Sequence, residues 1–100
     1  QQVEEFERDF QRRTGIDLQF SEEAINRITE ILLNEDGKGM GLFSRLSKDY
    51  EYGFELIRDK TGQREFIVTR ETVDDPEGYL NRMIREIYKR QSDERLEDKE

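Results

Sequence analysis

Two short stretches, residues 16–20 and 65–69, interrupt a chain otherwise written in helical spacing, and they limit the folds open to it. Ile16-Asp17-Leu18-Gln19-Phe20 alternates apolar and polar residues, the period of a strand buried on one face. Glu65-Phe66-Ile67-Val68-Thr69 is rich in β-branched and aromatic residues, which suit a pleated surface. Between and around them the apolar residues recur three and four apart. The expected fold is therefore a small α+β domain in the order helix, strand, helix, helix, strand, helix. Its sheet has two strands, with room for a third, and the helices pack mostly on one face.

The helical segments carry their own start and stop signals. Val3, Phe6 and Phe10 make one narrow apolar face over residues 3–13, and Gly15 suits the position just past a helix end. Ser21 is a good N-cap, followed by Glu22 and Glu23 where the helix dipole favours acids. Ala24, Ile25, Ile28, Ile31 and Leu32 then form a broad core stripe over 22–34. Phe43, Leu46, Tyr50, Phe54 and Ile57 give a third helix over about 41–58. Gly53 inside it costs about 1 kcal/mol relative to Ala and marks a tight contact or a kink. Residues 59–62 read as a turn. Asp75-Pro76-Glu77 has the N-cap, proline and acid order of a helix start, and Leu80, Met83, Ile84, Ile87 and Tyr88 form the last stripe. Residues 1–90 make the domain, and 91–100 read as a charged, frayed tail.

Between the second and third helices lies Gly37-Lys38-Gly39-Met40-Gly41. Glycines that let the backbone turn and approach closely, placed before a helix start with its unpaired N–H groups, suit an anion such as a phosphate. The plainer reading is a flexible connector, since no GxxxxGK[ST] pattern follows.

The chain has 100 residues, the size of one small domain, and only 32% are hydrophobic against 42% charged, so the core is small. A net charge of −8 without His disfavours nucleic acid and anionic membrane as partners, because both need a cationic footprint. Without Cys there are no disulfides and no cysteine–zinc sites, and an intracellular setting is permitted. No apolar run has the length of a membrane span or the form of a signal peptide. The chain opens on Gln1-Gln2 rather than Met, and it is expected to be a piece of a longer protein.

The ordered series resembles the C-terminal small, or lid, domain of AAA+ ATPases of the Clp group, the ClpX-like unfoldases, over roughly residues 5–73. Gly15-Ile16-Asp17-Leu18-Gln19-Phe20 looks like that family's helix end and first strand, and Ser21-Glu22-Glu23-Ala24-Ile25 like its next helix start. Gly41-Leu42 followed by Ser44 is similar to its glycine-arginine-glycine-leucine helix start. Tyr50 to Leu56, and Phe66-Ile67-Val68-Thr69 followed by Val73, resemble its later helix and strand.

The resemblance implies a lid that closes over nucleotide bound by a preceding large domain and carries the motion to the neighbouring subunit of a cytoplasmic, hexameric ring acting on protein substrates. ATP is then the parent's cofactor, with Mg held by the large domain. The isolated lid is not an enzyme. The implied nucleotide-facing residues are Lys38, Gly39, Met40, Gly41 and Arg45. Met40 stands where the family has its sensor-2 arginine, and a thioether offers phosphate no charged donor. Lys38 and Arg45 are the nearby cations, but Arg45 is about one and a half helical turns from Met40 and should face elsewhere. The alternative for both is a solvated side chain. Arg58 stands where the family has a proline.

Other chemistry lacks residues. Without His or Cys there is no Ser–His or Cys–His nucleophile, so no catalytic residues are expected. The acidic pairs Glu22–Glu23 and Asp74–Asp75 fit helix starts better than acid–base work. Asn34-Glu35-Asp36-Gly37 lacks the ligand spacing of a calcium loop, and no metal site is expected. Exposed apolar residues on the first helix, Val3 and Phe6, are expected to dock on neighbouring domains. The competing reading from another class is a stand-alone acidic protein–protein interaction module that never meets nucleotide.

Overall fold

In the computed structural model, which describes residues 2–34, 39 and 41–98, the first helix, α1, spans Gln2–Thr14. Its turn into the first strand is held by Thr14, whose hydroxyl donates to Phe10 C=O at 2.7 Å and accepts from Ile16 N–H at 3.1 Å. Strand β1 follows at Asp17–Phe20. Helix α2, Glu22–Asn34, starts where the sequence signals it: Ser21 Oγ accepts from Ala24 N–H at 3.1 Å. Helix α3 spans Leu42–Thr61 and strand β2 Glu65–Val68. A short helix α4, Arg70–Asp74, and a long helix α5, Pro76–Asp98, complete the chain. At the start of α5, Gly78 N–H donates to Asp75 Oδ1 at 3.2 Å.

The two strands are neighbours in one parallel sheet, with Asp17 beside Glu65, Leu18 beside Phe66, Gln19 beside Ile67 and Phe20 beside Val68. Parallel strands need a crossover, and α2 with α3 provides it. In both strands the second and fourth residues are buried while the first and third face outward. One face of the sheet therefore carries Leu18, Phe20, Phe66 and Val68 into the core, and the other stays open.

Tyr50 and Phe54 of α3 occupy the middle of that core. Phe54 meets Phe66 at 4.6 Å between ring centroids, and Phe6 meets Phe20 edge-on at 5.7 Å and Tyr50 at 6.2 Å. The polar groups brought inside are paired. Tyr50 OH donates to Thr72 C=O at 2.9 Å, and Arg58 donates to Thr14 C=O at the end of α1, where the helix dipole favours a cation.

The structure differs from the sequence expectations at several places. Val3 and Phe6 are buried, so α1 has no exposed apolar face there to dock on a neighbour. The turn expected at 59–62 is the last turn of α3. Gly62 closes it at φ 80°, with its N–H on Arg58 C=O, because residues 59–61 keep helical pairing until a left-handed residue is reached. Thr69 is no strand residue; it N-caps the unexpected α4, its hydroxyl accepting from Thr72 N–H at 3.4 Å. The described residues hold the two expected strands, and no third joins them. Asp74 ends α4 rather than starting a helix, and helix α5 runs to Asp98.

Candidate functional site

Of the glycine stretch, Gly39 and Gly41 meet the body of the domain at the end of α2 and the start of α3. Gly39 lies against the last turn of α2: a Cβ there would come within 2.9 Å of Leu32 Cδ2 and 3.4 Å of Leu32 Cα. Its carbonyl accepts from Leu42 N–H at 3.2 Å. Gly41 is the N-cap of α3 at φ 73°, a left-handed conformation that a Cβ would strain. It has no side chain to accept from the first-turn N–H groups, and the first helical bond runs from Arg45 N–H to Gly41 C=O at 3.0 Å. Leu42 and Leu46 anchor this turn in the core, and Phe43 leans on Phe6 at 5.7 Å.

Arg45 is exposed on the side of α3 that faces α2 and the α4–α5 corner. There it lines a shallow depression of about 280 Å³ together with Arg27, Asp49 and Asp74. Arg27 is committed to its carboxylates: Nε lies 2.6 Å from Asp74 Oδ1, and Nη1 lies 3.2 Å from Glu30 Oε2. Arg70 reaches Glu30 and Asp74 at 3.7 Å each. Cations and carboxylates in this depression nearly balance, so an incoming phosphate would have to compete with Asp49 and Asp74 for the guanidinium groups. Exposed pairs of this kind contribute little to stability, about 0–1 kcal/mol each, and act mainly to hold side chains in place.

The structure thus brings Gly39, Gly41 and Arg45 to one end of the domain. Lys38 and Met40 lie outside the described residues. Among the described residues, no three Asp or Glu side chains converge as a bound metal would require.

Several residues of consequence escape sequence reasoning. Arg27 joins α2 to α4, and Arg58 caps α1 from α3. Glu7 Oε2 accepts from Phe20 N–H at 3.0 Å, closing the outer edge of β1 from α1. Each acts on a residue 13 or more positions away, so no local pattern announces it. Compared with protein-family models, curated proteins and solved structures, the chain has no significant match.

Proposed function

We propose that this chain is the lid of an AAA+ ATPase of the Clp group. In this reading it closes over nucleotide bound by a preceding large domain and passes the movement to the next subunit of a ring. The observation that carries the reading is the spatial arrangement of the resembling segments: β1 and β2 adjacent in one sheet, and Gly41 opening α3 beside the end of α2. A glycine-launched helix braced by a small sheet is the part that would swing as a unit when nucleotide binds, since closure is a rotation of a packed body about a few chain links.

The residues assigned to the nucleotide side are Lys38, Gly39, Met40, Gly41 and Arg45. Lys38 takes the cationic role that Met40 cannot fill, and Arg45 is held toward the Asp49 and Asp74 side. ATP, with Mg on the large domain, belongs to the parent. Alone, the domain offers part of a site.

The decisive test is the coding sequence upstream of Gln1. A P-loop and an acidic Walker-B strand within one domain length are expected, and an open reading frame that starts beside Gln1 defeats the proposal. In that parent, Lys38→Ala weakens nucleotide binding or turnover; unchanged values for both remove Lys38 from the site.

A second reading, an interaction module without nucleotide contact, draws on α5. This helix falls outside the resemblance and packs along α3 to Gln91, whose side chain donates to Lys60 C=O at 3.4 Å. Micromolar ATP binding by the isolated chain in a calorimeter contradicts both readings.

A further inference from the structure

A two-stranded sheet is marginal by itself, and parallel strands are ordinarily covered on both faces. This sheet is covered on one face, and its two edges are treated differently. Asp17 and Ser21 donate their N–H groups to Arg64 C=O and Val68 C=O, so the backbone groups of the alternate residues Leu18 and Phe20 point to the outer edge of β1. That edge is occupied: α1 packs against β1, and Glu7 takes the N–H of Phe20.

On β2 the same alternation turns Glu65 and Ile67 outward. The Gln63 side chain donates to Glu65 C=O at 2.9 Å. Among the described residues nothing pairs with Glu65 N–H or with either backbone group of Ile67, and no element runs alongside this edge. The Ile67 side chain is 63% exposed on the open face. Beside it Glu65 and Asp17 are register partners, so two carboxylates sit side by side on that face. Glu4 and Glu7 line a groove with Asp17 and Glu65 on the α1 side of that face, where Arg8 is the cation.

We propose that the outer edge of β2 takes a third strand from a basic, extended segment of another protein. The new strand pairs with Glu65 N–H and with the N–H and C=O of Ile67. A Lys or Arg on it lies beside Glu65 and relieves the Asp17–Glu65 repulsion, and an apolar residue covers Ile67. The carboxylates also disfavour a second copy as the occupant, because charge on a short edge strand opposes edge-to-edge pairing of identical chains. The inference is independent of the lid reading and holds equally for an interaction module.

The test uses the 100-residue chain with amide exchange and shifts read by NMR, and an acetylated eight-residue peptide alternating Lys and Val. At saturation the Ile67 amide exchanges at least about tenfold more slowly, since its bond opens only when the strand leaves. The same peptide N-methylated at alternate residues binds about tenfold or more weakly, the loss of one to two hydrogen bonds. Glu65→Lys reverses the preference toward a Glu–Val peptide. Absence of binding, equal binding of the N-methylated peptide, or an unchanged Ile67 amide overturns the proposal. So does a chain that sediments as a dimer with that amide already protected.

Discussion

Gly53 lies in the middle of α3, against Leu80 of α5. A Cβ at this position would stand 2.6 Å from Leu80 Cδ1 and 3.0 Å from both Leu80 Cδ2 and Leu80 Cβ. Gly53→Ala therefore sets two effects against each other. Ala is worth about 1 kcal/mol in helix propensity. Overpacking a buried contact costs about 1–3 kcal/mol. Leu80 is 3% exposed, so its branch has no solvent to swing into, and the overpacking wins. The expected net effect is a loss of about 1 kcal/mol.

Leu80→Ala by itself removes a buried branched side chain and costs about 2–4 kcal/mol. In that background the two Cδ contacts are gone. The contact to residue 80 Cβ at 3.0 Å remains and asks the helices to part slightly. Gly53→Ala then ranges from neutral to about 1 kcal/mol stabilising, a coupling of about 1–2 kcal/mol between the two sites. Urea unfolding of the four proteins, followed by far-UV circular dichroism with the m-value as a check, measures it. If Gly53→Ala alone stabilises the chain, or the two changes add within about 0.5 kcal/mol, the close α3–α5 approach is wrong.

Tyr50→Phe leaves Thr72 C=O without its donor and costs about 1–2 kcal/mol at neutral pH. Burial first, and nearby Asp49 second, push the Tyr50 phenol well above its ordinary pKa, so the folded chain keeps a proton that the unfolded chain releases. The resulting stability is complete below the ordinary tyrosine value of about 10 and is lost as pH rises beyond it. Melts from about pH 8 to about pH 11 should show a shallower alkaline decline for Tyr50→Phe, and parallel curves would refute the assignment. Glu7→Ala uncovers Phe20 N–H and lowers stability by about 1–2 kcal/mol, whereas Glu7→Gln keeps an acceptor and most of that stability; denaturant midpoints separate them. Gly41→Ala strains a positive φ and costs about 1–2 kcal/mol, with Gly41→Asn milder because Asn tolerates that region; equal midpoints for both variants contradict the observed turn.

What could be read along the chain is what neighbouring residues settle among themselves. The helix starts at Ser21 and Asp75 follow from side chains that reach N–H groups three residues on. The first strand follows from the two-residue alternation at residues 16–20, and the second from the β-branched and aromatic residues at 66–68 that suit a pleated surface. Gly41 as the opener of α3 is legible for the same reason, since the left-handed turn it makes is a local requirement that glycine meets without strain.

Tertiary structure decided the rest, because those interactions close long loops and depend on which surfaces the topology brings together. Parallel pairing of the strands, the burial of Val3 and Phe6, the meaning of Gly53, and the side to which Arg45 turns belong to this group. The same holds for Arg58, which stands within α3 in the sequence yet serves the end of α1 in space. A periodic pattern shows that a residue has a buried face; only the packed neighbour shows what that face meets, because the contact energy belongs to the pair and not to either stretch alone.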